Sequence, residues 1–396
     1  MALFKDVLYG KTVTAEEIMR DPRILDGRTV TGDMEEKLSL NNISINKATL
    51  VNFKAKRSYL KNVTFNDCTF LKVDFKYSEL EDVTFNKGSM GYQGDYEDKD
   101  NLTNFEFSTF RGQIIFNNVK INMAYIQSVG SKDSKCKVLF KDMREINNRD
   151  RFSTIHGYGI DLRVDNCARE GDIFGILDEN STVYATNSTF IGSGFTGILT
   201  NVIYIENCEL LNGATGGAPI TLVIKDSTVS GALLGKYSEK AYLINNKYPK
   251  TENGLTSVVG HPGVETFIDG QGVKNARMNI LSGQVTIRDL ELVNPKISKV
   301  FDYQVKTLNL KNVILRGPDF ERLQLQSGMW ENVEIYPPAR VPDTVFENLR
   351  VFNVTFPEGK PWVEATANSQ VRLIESSSPF DWPEITVPSP KDLNLE

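Results

Sequence analysis

Two groups of ionisable side chains have spacing that could support acid–base chemistry. The first lies in and beside the charged stretch from Gly130 to Gly159: Glu145, Asp150, His156 and Asp161, in the company of Arg144, Arg149 and Arg151. The second is Gly317-Pro318-Asp319-Phe320-Glu321-Arg322, where two carboxylates stand two residues apart beside a cation. A pair of carboxyl groups, one protonated and one ionised, cleaves a glycosidic bond. If the chain is an enzyme, it is therefore expected to be a polysaccharide hydrolase or lyase. Its candidate catalytic residues are then Glu145, Asp150, His156, Asp161, Asp319 and Glu321. Neither group forms a linear catalytic motif, so the chain reads first as non-enzymatic. The four cysteines, Cys68, Cys136, Cys167 and Cys208, contain no CxxC pair, and two histidines are too few for a Cys/His zinc site. No metal and no other cofactor is implied.

The elements that would position these groups show in the repeats. From about Leu38 to Tyr125, Leu60, Phe65, Phe70, Phe75, Leu80 and Phe85 fall every fifth residue, and Phe105 and Phe110 resume the phase. Two places before each stands a small or β-branched residue: Ser58, Val63, Cys68, Val73, Ser78, Val83, Thr103 and Ser108. Neither a helical period of 3.6 nor a strand period of 2 produces this pattern. A square coil does, if each five-residue side turns one large and one small side chain inward.

A second repeat runs from about Leu162 to Phe356. It reads apolar, any residue, Asn or Asp, a compact residue, any residue, apolar. Examples are Ile205-Glu206-Asn207-Cys208-Glu209-Leu210 and Trp330-Glu331-Asn332-Val333-Glu334-Ile335. The Asn or Asp, at 166, 187, 207, 226, 246, 289, 312, 332 and 348, recurs about once per coil of roughly 20 residues. It belongs where the chain bends, because these residues tolerate left-handed backbone angles and bond their own turn. Stacked Asn side chains are also expected to bond from coil to coil. Cys167 and Cys208 follow such bends, and Cys68 holds a small inward place, so all three are expected in the core. Cys136 lies among polar residues and reads as a free surface thiol.

The five-residue section resembles the pentapeptide-repeat family, whose coils take four such units. Further on, Thr266-Phe267-Ile268-Asp269-Gly270-Gln271-Gly272 is followed by Val285-Thr286-Ile287-Arg288-Asp289-Leu290. This resembles the pectin-lyase-like right-handed β-helix superfamily, polygalacturonases in particular. The resemblance implies fold. It does not carry the polygalacturonase active site, because no Asn-Thr-Asp motif and no Asp-Asp pair stands where those enzymes have them. Gly260-His261-Pro262 also precedes the Gly-Gln-Gly turn, the reverse of their order.

The expected fold is all-β, a single right-handed parallel β-helix with a short N-terminal helical cap and an irregular Pro-rich tail. The expected boundaries are a cap over 1–37, where Thr14-Ala15-Glu16-Glu17 forms a capping box, and pentapeptide-like coils over 38–128. A charged insertion loop over 129–160 and coils over 161–356 follow. The tail, 357–396, holds six prolines and is expected not to stack.

The net charge is −6, with both signs scattered along the chain. That excludes general nucleic-acid binding through phosphate contacts, which needs a basic face. No stretch is apolar enough to span a bilayer, and the first residues do not form a cleavable signal peptide. The favoured reading is a structural or binding β-helix of a phage virion or tail, or of a bacterial surface or secreted effector. Its expected partner is a polysaccharide or another protein, with the tail free to fold back over the last coil or to join copies of the chain. A polysaccharide-degrading enzyme is the alternative, and a gyrase-binding DNA mimic is a third.

Overall fold

The computed structural model describes residues 11–33, 37–91, 103–121, 124–131, 134–143, 146–148, 155–171, 175–192, 194–197, 200–212, 219–234, 238–250, 255–259, 263–298, 304–341, 343–356 and 370–395. The chain divides into two compact units, Met1–Asn201 and Val202–Glu396. Each is a parallel β-solenoid, and the described helix is confined to Ala15–Arg20 and one short 3-10 turn, Pro22–Leu25. The all-β class is as the repeats predict.

In the first unit the strands stack in register, one coil on the next. Leu40 aligns with Leu60, Leu60 with Leu80, and Leu80 with Phe110. A second inward column runs Ile45, Phe65, Phe85, Phe116, Phe140, Val164 and Ala185. None of its members is more than 2% exposed. Its four phenylalanines form a stack of rings, with centroids 5.3, 5.0 and 5.0 Å apart and nearly parallel planes. Removing one such ring would cost about 3–5 kcal/mol, because the rings above and below leave little room for the cavity to collapse.

The five-residue period has a backbone cause. Positive φ occurs at Asn42, Lys47, Asn52, Arg57, Asn62, Asp67, Lys72, Tyr77, Asp82 and Lys87, one corner every five residues. Most corners precede a small or β-branched residue and come three places before a large inward one; at Asn52 the order is reversed, with Phe53 next and Ala55 three places on. Several Asn side chains, at a corner or at the last outward place of a strand, bond to the coil below. Asn62 Nδ2 donates to Asn42 Oδ1 at 2.7 Å, and Asn66, Asn86 and Asn117 continue a second ladder on Asn46.

In the second unit an inward column runs Ile205, Ile224, Leu243, Ile268, Ile287, Leu310, Trp330 and Val351. The corner ladder runs Asp289, Asn312, Asn332 and Asn353, bonded at 2.8, 2.9 and 2.8 Å. Two expected corners are displaced. Asn245, not Asn246, has the left-handed angle, while Asn246 turns inward and accepts the Ser227 N–H at 2.9 Å. Asn353, not Asn348, closes the ladder, and Asn348 instead donates to the Gln326 carbonyl.

Four expected features need correction. Stacking begins before residue 38: Thr29–Asp33 pairs with Thr49–Lys54, and Lys11–Thr12 pairs with Val30–Thr31. The capping box does form, with Thr14 and Glu17 exchanging bonds at the start of the helix. The segment 129–160 is not simply an inserted loop. Its strand Cys136–Lys141 pairs on both sides, with Gln113–Asn117 and with Ile160–Asp165. There Cys136, Val138 and Phe140 alternate inward, so Cys136 is buried rather than a surface thiol. Finally, Gln370–Glu375 pairs in parallel with Val345–Thr355, so a coil strand lies within the tail. That window contains no proline, which is why it can stack.

Candidate functional site

The candidate catalytic residues are not gathered into an acid–base pair among the described residues. Glu145, Asp150 and His261 lie outside those residues. Asp161 points outward from Ile160–Asp165. Its Oδ1 accepts the Thr182 hydroxyl at 2.8 Å and lies 3.5 Å from the Lys135 ammonium. His156 sits half-buried on Ile155–Tyr158 with its ring 6.1 Å from that of Tyr158. Burial pulls its imidazole below the ordinary value, which favours the neutral form at pH 7.

Asp319 and Glu321 belong to one turn. Asp319 Oδ1 accepts the Glu321 N–H at 3.1 Å and its other oxygen lies 3.6 Å from Arg340. Glu321 pairs with Lys296 at 3.6 Å and Arg322 at 3.8 Å, and Arg322 has a left-handed φ of 58°. Lys296, Asp319 and Arg340 are aligned on successive coils, so the carboxylate lies between two cations of a ladder. These side chains hold a corner together.

A different surface is not absorbed by the fold. In the first unit, Lys37, Arg57, Ser58, Tyr59, Tyr77 and Glu79 line an open groove of about 440 Å³. Arg57, Tyr77 and Phe107 occupy equivalent corners, with φ of 59°, 60° and 59°. Bulky aromatics are outliers in that region, at a cost of order 1–3 kcal/mol each, and such strain clusters at functional positions. Tyr77 is 54% exposed and Phe107 49% exposed. Their rings stack at 5.4 Å with planes 14° apart. One face of Tyr77 is therefore covered by Phe107, while the residue also lines the groove.

The floor beneath is rigid. The Ser58 hydroxyl donates to the Ala55 carbonyl at 2.7 Å, and the Ser58 N–H donates to the Ser78 hydroxyl at 3.0 Å. Most charges around the groove are paired. Lys56 meets Asp74, Lys61 meets Glu81, Lys76 meets Glu106 and Arg111 meets Glu79, at 3.3, 2.8, 2.8 and 2.8 Å. The Lys61 pair holds its ammonium above the ordinary value and the Glu81 carboxyl below it, through the hydrogen bond between them. Lys37 and Arg57 have no carboxylate partner among the described residues, so among those residues the groove carries two cations that no carboxylate neutralises.

The arrangement offers a ring face, two hydrogen-bonding cations and the Tyr59 hydroxyl, which also donates to Glu81 at 3.3 Å. Chemically, such a surface can pack the C–H face of a ring against an aromatic plane and meet an anion with two cations. No metal cluster of His, Cys, Asp or Glu occurs among the described residues. None of the candidate carboxylates lies among the residues that line this surface. Its signal was nonetheless present, because Tyr77 and Phe107 fall on the corner phase of a five-residue repeat whose other described corners are Asn, Asp, Lys, Arg or Gly. No family model, no curated protein and no solved structure matches the chain.

Proposed function

We propose that the chain is a non-enzymatic binding β-solenoid that presents a rigid corner to an acidic polysaccharide. A setting in a phage virion or tail, or on a bacterial surface or among secreted effectors, accords with this reading. The single observation that carries it is the exposed, stacked Tyr77–Phe107 pair beside Lys37 and Arg57. Two strained aromatic corners on adjacent coils add nothing to the core, and Tyr77 of the pair lines the open groove. The every-fifth corners support kinship with pentapeptide repeats, and the Asp269-Gly270-Gln271-Gly272 stretch supports kinship with pectin-lyase-like proteins. The DNA-mimic reading has little support, because carboxylates on the five-residue coils alternate with lysines and an arginine in cross-coil pairs.

The test is incubation of the protein with a panel of bacterial and plant polysaccharides, measuring both retention and new chain ends. The expected outcome is retention of carboxylated or sulfated chains, weakening as salt screens the two cations, with no new reducing or unsaturated ends. Appearance of such ends would establish the degradative alternative. Retention of no polysaccharide at low salt would contradict the proposal.

A further inference from the structure

The second unit holds its own tail by contacts unlike those that stack its coils. Lys311 and Glu331 are cross-strand neighbours on successive coils, and Arg350 lies on the next, paired with Met329. Leu310 and Trp330 face the core, so Lys311 and Glu331 face outward, yet Glu331 is only 5% exposed. Residues of the tail account for this. Glu331 Oε2 accepts the Phe380 backbone N–H at 2.7 Å and the Trp382 indole N–H at 3.0 Å. The Lys311 ammonium stands 3.7 Å from Glu331 Oε1 and 5.5 Å from the Trp382 ring centroid. The Arg350 guanidinium lies 4.8 Å from the Phe380 centroid, and the two tail rings meet at 6.4 Å.

A covered carboxylate is costly unless donors reach it, and here both donors come from the tail. The flank thus reads one backbone N–H, one indole N–H two residues later, and a ring beside each of two cations. That is recognition of a short extended segment, as in peptide-binding grooves. The rest of the tail is lightly held: between Ser376 and Leu395 only Phe380 and Leu395 are buried, and none of these residues belongs to a strand. Segments with few buried apolar contacts open locally while the core stays folded.

We infer that the flank formed by Lys311, Glu331 and Arg350 is a docking surface for Phe380-Asp381-Trp382, and that it accepts this segment from a second copy of the chain. Exchange needs no new contact, since the second copy's tail makes the bonds that the tethered tail makes. Tethering gives a chain's own tail a high effective concentration, so docking within one molecule prevails until that option is removed.

Two full-length variants remove it from opposite sides. Glu331→Ala spoils the flank and keeps the tail; Trp382→Ala spoils the tail and keeps the flank. Each is first checked for its β circular dichroism and thermal midpoint, with Arg350→Ala as the substitute flank variant should Glu331→Ala fail to fold. In analytical ultracentrifugation, each variant alone is expected to sediment as a monomer. An equimolar mixture is expected to form a two-chain complex that a peptide spanning residues 376–386 dissolves. A mixture that sediments as monomers up to the solubility limit would overturn the inference. So would a complex of equal strength in Trp382→Ala alone.

Discussion

At the residue scale, burial governs the chemistry of the four cysteines. All four are free and buried. Desolvation pushes the Cys68 thiol up to about 11 and the Cys136 and Cys167 thiols up to about 12, from an ordinary 9.0. A folded-state value above the unfolded one means that the native chain holds the proton more tightly. The thiols therefore take nothing from stability below about pH 9, and stability falls as the pH climbs from 9.0 towards 12. Thiol-reactive disulfide reagent at pH 8 is expected to label none of the four until denaturant unfolds the chain, and the denaturation midpoint is expected to drop between pH 9 and 11. Rapid labelling of native protein would show that one of these side chains is not in the core. Cys136 is the informative case. Its neighbours Lys135, Lys137 and Lys141 give the stretch a polar look, but alternation from Cys136 to Phe140 was the better guide to burial.

At the element scale, the corner decides which sequences can wind into these coils. Asn and Asp corners were legible, because both tolerate the left-handed region and their side chains ladder between coils. Lys47, Lys72, Lys87, Arg57, Tyr77 and Phe107 were not, because no propensity points to positive φ there. Only the five-residue phase does. Replacing Lys47 with Asn is expected to raise stability by roughly 0.5–1 kcal/mol by relieving an unfavourable backbone angle at an exposed corner. Urea denaturation checks this, and a lower midpoint would show that Lys47 contributes something beyond its corner. The misplaced corners have local causes. Asn245 and Asn246 are adjacent, so spacing alone could not choose between them. Asn353, not Asn348, stands opposite Asn332, because Trp330 aligns with Val351 and Val333 with Val354 on the next coil.

At the scale of the whole molecule, the strand class and the core were written in the repeats. The inward Phe and Ile columns recur once per coil, and nothing but stacking buries them. Six prolines masked the proline-free strand Gln370–Glu375 within the tail, and although a tail folding back on the coils was expected, no sequence pattern announces that Glu331 will meet Phe380 and Trp382. The Tyr77 corner carries no carboxylate signature, whereas the candidate carboxylates Asp161, Asp319 and Glu321 are drawn into corner and ladder bonds. What distinguishes Tyr77 is its uselessness to the core combined with its strained backbone. Tyr77→Asn removes the ring and keeps a residue suited to the corner, so the fold is preserved while the platform is lost. The most direct measurement is calorimetric titration of the wild type and Tyr77→Asn with the acidic polysaccharide that the wild type retains most strongly. The account predicts at least about a tenfold loss of affinity, roughly 1.4 kcal/mol, with no fall in the thermal midpoint. Equal affinity in the two proteins would contradict it.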